Sequence, residues 1–167
     1  MANKQNFKPE EWTKILESTM LAGMAVSAAE PSGLWGALKE AFASSSALAA
    51  AKSDPASNEL VKAVVADFET KEGRAAVQEA LRKHLAGAKK PADTVQLSLD
   101  NLREVSAILN AKAPQEAPKF KAWLQAISRN VADASSEGGF LGIGGIRVSD
   151  AEKATLADIS KALGTRA

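Results

Sequence analysis

The chain has 167 residues, with 21 basic and 20 acidic side chains, a formal net charge of +1 and no cysteine. That length suits one domain able to bury roughly 70% of the surface its unfolded form exposes. Disulfides, thiolate chemistry and cysteine-ligated metal centres are excluded, and the balanced charge speaks against a broad nucleic-acid footprint. Aromatic residues make up 5% of the chain, tyrosine is missing and alanine is abundant, which favours closely packed helices over sheet.

Residues 1–8 read as an N-terminal tail without the apolar core of a signal peptide. The weakly polar stretch 20–29 falls far short of the ~20 residues that cross a bilayer, so a cytoplasmic protein with no membrane span is expected. Pro9, Glu10 and Glu11 make a favourable first helical turn. Trp12, Ile15, Leu16, Thr19, Met20, Gly23 and Val26 then recur every three or four residues, marking one buried face. That helix ends in small residues, and Glu30, Pro31, Ser32 and Gly33 break it. Ser32 can cap a second helix carrying Leu34, Trp35, Leu38 and Phe42. Asp54 and Pro55 start another turn, followed by the stripe Leu60, Val61, Val64, Val65 and Phe68. Residues 70–73 allow a kink or short break. Val77, Leu81, His84 and Leu85 line a fourth helix, with Gly87 expected at the position that closes it.

Lys89, Lys90 and Pro91 read as a linker. Val95, Leu99, Leu102, Val105, Ile108 and Leu109 give a fifth helix, stopped by Ala113 and Pro114. Pro118 opens a sixth, with Phe120, Trp123, Leu124, Ile127, Val131 and Ala134 inward. After a glycine-rich stretch, Ser149 and Glu152 form a capping box for a last helix bearing Leu156, Ile159 and Leu163 and closed by Gly164. No segment sustains period-two alternation. The expectation is an all-α domain over residues 9–164, about seven helices in a single bundle, with possible halves at 9–87 and 92–164.

Residues 25–36 and 131–142 echo each other. Each has a small-residue helix end, a glutamate, a glycine, two large apolar residues and another glycine, and each follows a helix that starts near a tryptophan. Alanine-rich helices that end at glycine can look alike by chance. A duplication giving two helical hairpins about a pseudo-twofold axis is the other explanation.

Residues 130–138, 148–152 and 156–164 resemble the closing hairpin of TerB-like (tellurite-resistance B) domains, and residues 28–33 resemble its N-terminal counterpart. Neither copy has a plain Ala-Asp-Gly, and residues 139–146 form an insertion that the family turn lacks. The resemblance implies an all-helical duplicated fold and a stress-associated binding or scaffold domain, sometimes thought to bind metal through acidic clusters.

Glu30, Asp133, Glu137, Asp150 and Glu152 flank the two turns, and Glu40 follows the first. If the halves face each other, these carboxylates could converge on a hard divalent cation. Against this, no EF-hand spacing is present, Glu152 has a capping role and Asp150 sits where a helix dipole favours an acid. The loop 138–145 lacks the strand and the Gly-Lys-Ser/Thr of a phosphate cradle. Its apolar members Phe140, Leu141, Ile143 and Ile146 either tuck under the domain or stay exposed as a contact, and Leu34 and Trp35 pose the same choice. His84 is the single histidine. It cannot build a typical zinc site alone, and no serine lies in a nucleophile-elbow sequence, so packing or surface duty is expected of it. No cofactor is required by any motif. The expected role is a non-enzymatic, bacterial-type binding or scaffold domain. Its contact surface would lie at the paired glycine turns, and it would meet an unknown protein partner or a second copy of itself. The alternative is a TerB-like stress-response domain holding a divalent metal.

Overall fold

A computed structural model describes residues 2–29, 58–137 and 148–165, with side chains described as far as residue 133 in the second stretch. The elements among them are α1 (Pro9–Ala29), α2 (Glu59–Glu69), α3 (Lys71–His84), α4 (Pro91–Lys112), α5 (Ala117–Glu137) and α6 (Asp150–Leu163). Two single 3₁₀ turns, Lys4–Asn6 and Leu85–Gly87, accompany them. The described residues contain no strand, so the protein is all-α as its patterning demands. The expected helix carrying Leu34 and Trp35, the turn at Asp54 and Pro55, and the glycine-rich stretch 138–147 lie outside the described residues.

Helices α2, α3, α4 and α6 each start where a polar side chain satisfies orphan N–H groups. Asn58 Oδ1 accepts from the Val61 N–H at 3.0 Å to begin α2. Thr70 ends α2 and begins α3: its Oγ1 accepts from the Gly73 N–H at 2.9 Å and donates to the Asp67 carbonyl at 2.7 Å. The break expected at residues 70–73 is therefore a shared cap. Asp93 Oδ2 accepts from the N–H groups of Lys89 and Lys90 at the start of α4. The box of Ser149 and Glu152 opens α6, and Gly164 closes it in the left-handed region at φ 66°. Gly87 departs from expectation. Helix α3 stops three residues earlier at His84 and tightens into the 3₁₀ turn, so no left-handed glycine is needed there.

Helix α1 is the axis. Helices α2, α3, α4, α5 and α6 pack against it, and its buried residues include Trp12, Ile15, Leu16, Glu17, Ser18, Leu21, Ala22, Ala25 and Ser27. Burial extends well beyond the single stripe expected, leaving Thr13, Lys14, Met20 and Met24 half-buried. The small residues of its C-terminal half let the other backbones come close enough to achieve it. Leu102, Val105 and Leu109 of α4, Phe120, Leu124 and Ile127 of α5, and Ile159 and Leu163 of α6 join one continuous apolar cluster with α1. Each fully buried large side chain contributes about 1.5–3 kcal/mol.

Residues 2–8 are part of this arrangement. Phe7 is buried against Trp12, with ring centroids 5.8 Å apart. The Ala2 N–H donates to Glu116 Oε1 at 2.8 Å.

Candidate functional site

Helices α5 and α6 diverge on one side of the bundle and leave a cleft of about 220 Å³. Their sequence dictates its character. On α5, Gln125, Ser128 and Arg129 fall on successive turns toward α6; on α6, Lys153, Leu156, Ala157, Ile159 and Ser160 look back. The floor is polar and self-satisfied. Gln125 Nε2 donates to Ser160 Oγ at 2.8 Å, and Ser128 Oγ donates to the Ala22 carbonyl of α1 at 3.0 Å. Above that floor the half-buried Leu156 and the exposed Ala157 turn apolar surface outward. The charged side chains lining the cleft are Arg129 and Lys153, both exposed. Lys153 pairs with Asp150 at 3.2 Å, and among the described residues Arg129 makes no ion pair.

A second cleft, of about 340 Å³, lies where the N-terminal segment crosses α1, α2 and α3. Its wall holds Lys4, Phe7, Trp12, Asp67 and Glu72. The Asp67 carboxylate there is occupied by the Lys4 ammonium and the Trp12 indole.

The third polar feature is interior. Glu17 on α1 is 3% exposed, and its Oε2 accepts from Asn101 Nδ2 of α4 at 3.2 Å. Its Oε1 faces His84 Nδ1 of α3 at 3.5 Å, an ion-pair separation longer than a good hydrogen bond. The other ring nitrogen of His84, Nε2, lies 3.1 Å from the Leu97 carbonyl. Glu17 Oε1, Asn101 Oδ1 and Ser98 Oγ are buried without a hydrogen-bond partner. Burial pushes the Glu17 carboxyl above its ordinary range, against the opposing pull of His84 and Lys14.

The acidic residues proposed from sequence are dispersed in their duties. Asp133 is exposed on α5. Asp150, with its side chain fully exposed, holds Lys153 at the first turn of α6. Glu152 is 2% exposed, and its Oε2 accepts from the Ser149 N–H at 2.8 Å while Ser149 Oγ receives the Glu152 N–H. Among the described residues no group of three or more His, Asp or Glu side chains is placed to hold a metal ion. Glu30, Leu34, Trp35, Phe140, Leu141 and Ile143 lie outside the described residues, as does the side chain of Glu137.

Sequence reasoning missed Glu17, because a glutamate beside a stripe of apolar residues ordinarily points to solvent. The signal was His84, an uncommon residue on the apolar side of its helix, which needed a buried partner. Among the described residues no helix is long and apolar enough to cross a membrane. Comparison of the chain with protein-family models, curated proteins and solved structures gives no match.

Proposed function

We propose that the protein is a non-enzymatic binding or scaffold domain that takes an acidic, apolar segment of a partner protein along the cleft between α5 and α6. The observation that carries this reading is the pairing of outward apolar surface at Leu156 and Ala157 with two exposed cations, Arg129 and Lys153. Apolar side chains of the partner would displace water from the α6 wall, and its carboxylates would meet the guanidinium and ammonium at the rim. Arg129 suits that task because its planar fork takes a carboxylate in two parallel hydrogen bonds.

The test uses short peptides of alternating leucine and glutamate, with leucine–lysine peptides as the control, titrated into labelled protein and followed by amide chemical shifts. Shifts grouped at residues 125–129 and 153–160 with the acidic series are expected, and Arg129→Glu with Lys153→Glu should abolish them. Equal shifts with the basic series, or none with either, overturn the reading.

A further inference from the structure

A carboxylate, an imidazole and an amide from three different helices meet inside the molecule, and their hydrogen bonds do not close without a proton between two of them. The Leu97 carbonyl can only accept, so His84 Nε2, 3.1 Å away, carries a hydrogen. That leaves His84 Nδ1 facing Glu17 Oε1 at 3.5 Å. A proton on Nδ1 lets an imidazolium donate to a carboxylate, and a proton on Oε1 lets a carboxyl donate to a neutral ring. With neither, two lone pairs oppose each other in a site where Glu17 is 3% exposed, and such opposition inside a protein is costly.

We infer that Glu17 and His84 hold one proton between them, and that this shared proton latches the C-terminal end of α3 onto α1 and α4. Helix α3 is the element free to respond. Its buried residues are Gly73 and Val77, both in its first half, and its last turn carries Arg82, Lys83 and His84. The C-terminal end of α3 is held by partly buried side chains alone, Ala80, Leu81 and His84, with the half-buried Leu85 in the turn that follows. His84 keeps 24% of its side chain exposed, which lets the proton exchange with solvent.

The charged groups around Glu17 are His84 from α3, Lys14 from its own helix and Glu104 from α4. Lys14 and Glu104 pair with each other, so their effects on Glu17 largely offset. Among the described residues α2, α5 and α6 bring no titratable group to bear on it. Desolvation makes a lone Glu17 carboxylate unfavourable, which strengthens its hold on a proton. As pH rises and the shared proton leaves, the pair loses its bond, and the end of α3 loosens. Histidine exchanges its proton between about pH 5 and about pH 8, which sets the range to examine.

The experiment is amide hydrogen exchange on the whole chain, read as protection factors so that intrinsic base catalysis cancels. Protection of residues 77–84 is compared with that of residues 120–132 in α5, from about pH 5 to about pH 8. The ratio is expected to fall about tenfold with rising pH, the factor equivalent to one pKa unit. Glu17→Gln keeps an N–H able to face Nδ1 at every pH, so its ratio should stay high and flat. His84→Ala should be low and flat. A flat ratio in the wild type, or a Glu17→Gln variant that falls like the wild type, overturns the inference. Nitrogen NMR of the His84 ring in the unmodified protein provides a readout independent of any variant. Nε2 should carry its hydrogen throughout, and a ring whose Nε2 is bare overturns the inference.

Discussion

The indole N–H of Trp12 donates to Asp67 Oδ2 at 2.7 Å, and the same carboxylate receives the Lys4 ammonium at 3.0 Å. One side chain on α2 thereby ties down both the start of α1 and the segment that precedes it. Phe7 fills the space beneath, packed at a tilt on the Trp12 ring. Trp12 is 3% exposed, so its donor has little access to water if the acceptor is removed.

Asp67→Ala should therefore destabilise the protein by about 1–3 kcal/mol, the usual cost of a buried donor left unpaired. Asp67→Asn keeps an acceptor and should cost less. Urea unfolding followed by tryptophan fluorescence measures both. Equal midpoints for Asp67→Ala and wild type would show that the indole finds another partner.

Thr70 and Gly73 make a second testable joint. Thr70→Ala removes the cap that starts α3 and should cost about 0.5–2 kcal/mol. A Cβ at Gly73 would come within 2.1 Å of the Asp67 carbonyl oxygen. Backbone would have to move, so Gly73→Ala should be more damaging than Thr70→Ala despite alanine's better helix propensity. Thermal melts of the two variants decide the order.

Glu17 makes stability depend on pH with a definite sign. Burial raises its carboxyl pKa above the ordinary 4.5, so the folded state holds the proton more tightly than the unfolded chain does. The stabilisation is complete below about 4.5 and is lost as pH rises through the raised folded value. Glu17→Gln lacks this titration. The difference in unfolding free energy between wild type and Glu17→Gln should shift against the wild type as pH increases, measured by denaturant titration at a series of pH values. A shift in the wild type's favour would contradict the burial-driven raise.

Phe120 is fully buried in the first turn of α5 and meets Trp123 edge to face, with centroids 5.4 Å apart. Phe120→Ala should cost about 3–5 kcal/mol through lost transfer energy and the cavity left behind. Trp123 is half-buried, so its replacement by leucine should cost markedly less. Calorimetric melting temperatures compare the two.

Local chemistry in the sequence was enough to establish the helices. Pro9 with its two glutamates, the capping box at Ser149 and Glu152, and the left-handed end at Gly164 act within a few residues of chain, so their roles can be read without knowing what lies opposite. The inward stripes of α5 and α6 were legible for the same reason: an exposed outer face leaves the 3.6-residue period intact. Helix α1 lost that legibility because the other five described helices all pack against it. With so little of its surface left exposed, residues such as Glu17 and Ser18 enter the core and periodicity no longer separates inside from outside. Gly87 misled because a 3₁₀ turn closes α3 with the same composition that a left-handed cap would use. The meeting of Glu17, His84 and Asn101, far apart along the chain, was decided by tertiary structure alone. Packing three helices together brings their polar groups into one small interior volume, and no local pattern in the chain encodes which groups will share it.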